Sequence, residues 1–172
     1  MCSKALIILA SARKESDTAK LVTRLFGTEG ADLLNLLDYN LSHYRYEADY
    51  PSDDQFNLIM ERMQQYDQLV FATPVYWYAM SGLLKVLFDR LTDIVTIRKE
   101  IGRSMQGKQT FLVAVGADEA LPQGFEMPFK LTSDYLAMDF KGTYYCKNSE
   151  INVKDDKADL FKQFFCTNNK TR

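Results

Sequence analysis

Five short apolar runs, each followed by a segment with helical spacing, govern what this chain can fold into. The runs are Lys4–Ala10, Asp32–Leu37, Gln68–Thr73, Gln109–Val115 and Thr143–Cys146. The first is apolar at consecutive positions, the pattern of a strand covered on both faces of a parallel sheet. Apolar residues then recur at helical intervals at Leu21, Val22, Leu25 and Phe26, stopping at Gly27 and Gly30. Phe56, Ile59, Met60 and Met63 mark a second helix, and Leu83 to about Arg98 a long third one. Phe125 to about Met138 predicts a helix interrupted early by Pro128, and Ala158–Phe165 a last one before a polar tail, Asn168–Arg172.

Alternating strands and helices argue a parallel sheet with helices on both faces, and right-handed crossovers leave few topologies. At 172 residues the expectation is α/β, a flavodoxin-like three-layer sandwich. Its five-stranded parallel sheet has order 2-1-3-4-5, in a single domain spanning residues 1–172. In such sheets the ligand crevice lies beyond the carboxyl ends of the strands, between strands 1 and 3. The segment Tyr39–Asp54 is polar, tyrosine-rich and unpatterned, which makes it a candidate functional loop.

Several functions are disfavoured by the totals. With 21 basic and 23 acidic residues, the chain lacks the basic footprint of a nucleic-acid binder. Cys2, Cys146 and Cys166 are scattered and form no C-x-x-C pair, against a cysteine-built metal site or a secreted disulfide framework, and for a reducing cytoplasm. His43 is the sole histidine, so no metal site is expected. Met1–Ala12 resembles a minimal signal peptide, but a buried first strand explains the same residues. No run approaches the roughly 20 residues of a membrane span. The ends of strands 1 and 3, Leu9-Ala10 and Ala72-Thr73, lack the acids of a phospho-receiver. Asp53-Asp54 reads as a negative helix start.

The loop after strand 1, Ser11-Ala12-Arg13-Lys14-Glu15-Ser16-Asp17-Thr18, offers three hydroxyls and an arginine just before a helix. Helix N-termini attract phosphate, and hydroxyls with a guanidinium complete its oxygen shell. The competing reading is a plain helix cap at Ser16 or Asp17. Neither a P-loop nor a G-x-G-x-x-G is present. At the end of strand 3, Pro74-Val75-Tyr76-Trp77-Tyr78 sets three adjacent rings in a turn. A phosphate at one end and flat rings at the other match the shape of flavin mononucleotide, FMN. An interface cluster is the alternative for the rings, and a plain turn glycine the alternative for Gly116, which ends strand 4.

Thr73-Pro74-Val75-Tyr76-Trp77, Met80-Ser81-Gly82-Leu83-Leu84-Lys85 and Phe88-Asp89-Arg90, together with Ser11, Arg13, Ser16 and Thr18, resemble the NADPH-dependent FMN reductase family. These are flavodoxin-like NAD(P)H:flavin and quinone oxidoreductases, and the resemblance covers roughly residues 4–118. It implies FMN as cofactor and NAD(P)H as electron donor. FMN phosphate is then expected on Ser11, Arg13, Ser16, Asp17 and Thr18. The ring is expected on Pro74, Val75, Tyr76, Trp77 and Tyr78, with Gly116 nearby. It further implies a small-molecule electron acceptor and a homodimer or homotetramer, while the cysteine usage implies a cytoplasmic location. Lys85, Asp89 and Arg90 read as packing, surface or interface residues, and catalysis is assigned to no side chain. The related iron–sulfur flavoproteins carry a cysteine cluster in the loop before the second helix. Here Asn40–Asp54 holds no cysteine, so no cluster is expected. Tyr78-Ala79 is bulkier than in many relatives, implying narrower access to the ring. A flavodoxin-type electron carrier is the alternative, disfavoured by the near-neutral charge.

Overall fold

The computed structural model describes residues 5–27, 31–153 and 155–167. Its strands are β1 (Ala5–Leu9), β2 (Ala31–Asn35), β3 (Gln68–Pro74), β4 (Gln109–Gly116) and β5 (Asp139–Lys147). They pair in parallel throughout, in the order β2-β1-β3-β4-β5, as the sequence predicts. The helices are α1 (Asp17–Phe26), α2 (Phe56–Gln64), α3 (Gly82–Thr96), α4 (Lys99–Ser104), α5 (Met127–Tyr135) and α6 (Asp156–Thr167). Cys2, Lys4, Gly30 and the polar tail lie outside the described residues, as do the first residues of the signal-like stretch. Among the described residues, no helix is long and apolar enough to cross a membrane.

Strand alternation divides the interior in two. Leu6 and Ile8 of β1, Leu69 and Phe71 of β3, and Leu112 and Ala114 of β4 pack with α2, α3, α4 and α5. Ala5, Ile7 and Leu9, Val70 and Ala72, and Phe111, Val113 and Val115 face α1 and α6 instead. Both faces of the central strands are therefore buried, which is why their sequences are apolar at every position. Each fully buried Leu, Ile or Phe contributes roughly 1.5–3 kcal/mol of transfer free energy. On the second face, the Arg24 guanidinium of α1 donates to the Tyr144 hydroxyl of β5 at 2.5 Å. That hydroxyl in turn donates to Asp155, at the start of α6, at 2.8 Å.

Five boundaries differ from the sequence reading. The second run stops as a strand at Asn35, whose side chain accepts from the Leu37 amide at 3.1 Å and starts a 3-10 turn over Leu36–Asp38. The long third helix ends at Thr96, and α4 follows after Arg98 turns the chain. Pro128 lies in the first turn of α5, where no intrahelical N–H is needed, so it starts the helix rather than interrupting it. That helix stops at Tyr135, because Ala137 is left-handed (φ 54) and β5 already begins at Asp139. β5 is accordingly much longer than Thr143–Cys146, with a register shift opposite Thr110/Phe111.

Candidate functional site

The crevice opens where β1, β3 and β4 end. In the β1–α1 loop, Ser16 caps α1, its hydroxyl accepting from the Ala19 amide at 3.1 Å. The cap reading and the cavity reading both hold for this residue, because Ser16 also lines the crevice. Helix geometry leaves the amides of Asp17 and Thr18 without carbonyl partners. The Asp17 carboxylate pairs with Lys20 at 3.2 Å, so its backbone N–H is the group suited to an anion. Ser11 and Thr18 are only 2% and 1% exposed. Among the described residues, neither hydroxyl has a hydrogen-bond partner and Arg13 has no ion-pair partner, although all three line the crevice. Lys14 is held aside by Asp38 at 2.5 Å.

Opposite this polar end stands the β3–α3 turn. Tyr76 and Ala79 exchange two backbone hydrogen bonds, of 2.9 and 3.0 Å, closing a two-residue turn over Trp77 and Tyr78. Both central residues are left-handed, with φ 49 and 63. Two-residue hairpin turns of this kind favour Asn-Gly because bulky residues cost about 1–2 kcal/mol each in this region. The base of the turn is clamped. The Ser81 amide donates to the Thr73 hydroxyl at 3.0 Å, and the Ser81 hydroxyl donates to the Ala10 carbonyl at 2.8 Å. Ser81 also caps α3, accepting from the Leu84 amide at 3.3 Å.

Together these elements enclose a cavity of about 430 Å³, within the size range of small-molecule sites. Of the residues named from sequence, Ser11, Arg13, Ser16, Asp17, Thr18, Pro74, Val75, Tyr76 and Gly116 line it. Trp77 and Tyr78 do not. The left-handed turn projects their rings into solvent, 94% and 71% exposed, so Tyr78 does not narrow the cavity. At Gly116 a Cβ would stand 2.7 Å from the Tyr145 hydroxyl, so this glycine makes room for a ring as well as lining the wall. The Tyr145 hydroxyl donates to the Asp118 carbonyl at 2.7 Å. Burial, then the Asp118 charge, pushes its pKa up, and it stays a neutral donor at ordinary pH. Asn148 also lines the cavity and was missed, because the sequence reading ended the fifth strand at Cys146. The rule that ligands sit beyond strand ends finds it once β5 is extended.

A second polar assembly lies away from this cavity. Arg90 of α3 grips Asp54 bidentately, at 2.8 and 3.1 Å, and bonds Asp93 at 2.8 Å and the Ser42 carbonyl at 3.1 Å. Its guanidinium lies 3.5 Å from the centre of the Tyr50 ring and 4.4 Å from that of Phe56. Burial raises the Asp54 pKa, but bonds from Arg90 and from the Ser42 and Phe56 amides outweigh it and hold the carboxyl below its ordinary value. Asp54 accepts from the Phe56 amide at 3.2 Å, so the acid at the helix start has a buried partner as well as a dipole. Lys85 and Asp89, by contrast, form an exposed ion pair one helical turn apart.

The family model for NADPH-dependent FMN reductase matches residues 3–138. The chain is 34% identical over 96 residues to a Bacillus subtilis protein carrying the provisional name NAD(P)H-dependent FMN-containing oxidoreductase YwqN, covering 54% of this chain and 53% of that one. It is 34% identical over 95 residues to the FMN reductase (NADPH) of Escherichia coli, covering 51% and 45% respectively. The chain thus spans about half the length of the curated relatives it matches. Among solved structures, the Trp repressor binding protein of Bacillus subtilis superposes with a TM-score of 0.67 at 25% identity, over 95% of each chain. The alternation of strands and helices, the crevice at the β1/β3 switch point and the match over most of the sequence agree, and the chain belongs to the NADPH-dependent FMN reductase family.

Proposed function

We propose that this chain binds FMN in the cavity at the ends of β1, β3 and β4, and transfers reducing equivalents from NAD(P)H to a small acceptor such as a quinone or free flavin. One observation carries the reading: a single cavity joins an arginine and two hydroxyls, all without partners among the described residues, at one end to the Pro74–Tyr76 turn at the other. These residues fit the group. Arg13, the Ser11 and Thr18 hydroxyls and the Asp17 and Thr18 amides would hold the phosphate, with the Ser16 cap fixing the helix end behind them. Pro74, Val75, Tyr76 and Gly116 would flank the flat ring. Bound FMN supplies two-electron chemistry that no side chain here possesses, and the protein positions and tunes it. The names of the two curated relatives support the donor and the cofactor.

The same reading takes the chain as one cytoplasmic domain assembling as a homodimer or homotetramer, supported by its scattered cysteines and its family resemblance. The test is to load the purified protein with FMN, add NADPH without oxygen, and follow the flavin's visible absorption. The reading expects the absorption to bleach and to return on adding menadione. An FMN-loaded protein indifferent to both NADPH and NADH would contradict it.

Removing the cation tests the phosphate end. Arg13→Ala is expected to weaken FMN binding by about 1.5–3 kcal/mol, the usual contribution of a hydrogen bond to a charged group. Thermal stability of the apoprotein should not change, since Arg13 has no ion-pair partner among the described residues. Flavin-fluorescence titration reads the first and a melting curve the second.

A further inference from the structure

We propose that Tyr145 is a positioning residue for the ring end of the cavity, bracing the β4–α5 segment that forms its third wall; this rests on the reading that FMN fills that cavity. The wall begins at Gly116 and Ala117, which both line the cavity, and the segment runs on through residues 117–126 to α5. Its own backbone hydrogen bonds lie near α5, from the Phe125 amide to the Pro122 carbonyl at 3.1 Å and from the Met127 amide to the Gly124 carbonyl at 3.0 Å. Its cavity end is held by side chains of β5 instead.

Thr143, Tyr145 and Lys147 alternate along β5, so they stand on one face of the strand. Tyr145 packs against the cluster beneath α2, α3, α4 and α5, while Tyr144 and Cys146 belong to the opposite one. All three side chains reach the same segment. The Thr143 hydroxyl donates to Glu126 at 2.9 Å, the Tyr145 hydroxyl donates to the Asp118 carbonyl at 2.7 Å, and Lys147 pairs with Glu119. Tyr145 does more than the other two. Its ring stands against Gly116, where a Cβ would come within 2.7 Å of the hydroxyl and 3.1 Å of the ring edge. One side chain therefore sets both where Gly116 lies and where the chain goes two residues later. Asn148, directly after Lys147, lines the cavity too, so the strand that braces the segment itself ends in the lining. The Asp118 bond is open to solvent, and water replaces it at little cost to stability. Its consequence falls on the placement of the wall.

Tyr145→Phe keeps the ring against Gly116 and removes only the bond to Asp118. In the flavin-free protein, NMR order parameters of the amides of residues 117–120 are expected to fall while those of β1 and β3 stay unchanged. The melting temperature should move by no more than about 3 °C, the cost of one exposed hydrogen bond in a chain of this length. The Kd for FMN, from flavin fluorescence, should rise roughly three- to tenfold. Inorganic phosphate, which occupies only the Arg13 end, should protect variant and wild type against melting equally. Gly116→Ala drives a Cβ into the hydroxyl and should loosen the same amides; adding Tyr145→Phe should loosen them no further, because both changes remove one bond. Loosened amides with an unchanged Kd for FMN overturn the positioning role. Equal losses for FMN and phosphate overturn it too, and make Tyr145 a residue of general stability. Normal FMN binding, with the same order parameters in variant and wild type, sinks the brace alone. A wild type that takes no FMN, with amides loosened in the variant, sinks the cofactor reading and leaves the brace standing.

Discussion

Nearly every donor of Arg90 meets a partner, and the partners come from α3 itself, from the loop preceding α2, and from two aromatic faces. Removing one member of such a buried network leaves the other charge uncompensated. Arg90→Ala is therefore expected to cost about 3–5 kcal/mol of stability, read by urea denaturation at neutral pH. Lys85→Ala, on the same helix but in an exposed pair, should cost less than about 1 kcal/mol. The network also has a pH signature. Because the folded-state pKa of Asp54 lies below its ordinary 3.8, its contribution is complete above that value and is lost as pH falls through the depressed one. The stability margin of the wild type over Asp54→Asn should hold at neutral pH and shrink below pH 3.8. A margin constant into strong acid would contradict the assignment. In the sequence, Arg90 was legible as a motif residue, with packing, surface and interface roles all open. Its partners were not, since Asp54 lies 36 positions away and nothing local announces the pairing.

At the scale of elements, continuous apolar runs and helical spacing were enough to place β1, β3, β4, α1, α2 and α3. What escaped was governed by tertiary context. β5 is an edge strand, half-exposed along much of its length, and Gly142 interrupts its pattern beside the register shift, so only its last apolar residues stood out. α4 is too short to show a period, and it was hidden behind the longer helix before it. Its packing has a sharp requirement. A Cβ on Gly102 would come within 2.4 Å of the Ile94 carbonyl oxygen, a backbone atom of α3 that cannot swing aside. Gly102→Ala should thus destabilise by roughly 1–3 kcal/mol, although alanine is the better helix former. A melting temperature equal to or above that of the wild type would show that the two helices are not packed this closely.

For the whole molecule, the sheet order brings the ends of β1, β3 and β4 together, and with them a phosphate-type loop and an aromatic turn more than 50 residues apart in sequence. Most of the lining of this candidate cavity was legible because both loops carry local signatures. The outward turn of Trp77 and Tyr78 was not, because composition does not reveal a positive φ. Nor was Asn148, which enters only through the true length of β5. If the cavity is the cofactor site, binding there must stabilise the native state by mass action, about 2.7 kcal/mol with free FMN at 100 times its Kd. The most direct test of the central claim is titration of the flavin-stripped protein into FMN while following flavin fluorescence. Saturable one-to-one binding that Arg13→Ala weakens and riboflavin, lacking the phosphate, does not reproduce is the predicted result. Failure of the folded protein to bind FMN, or equal affinity for riboflavin, would contradict the account.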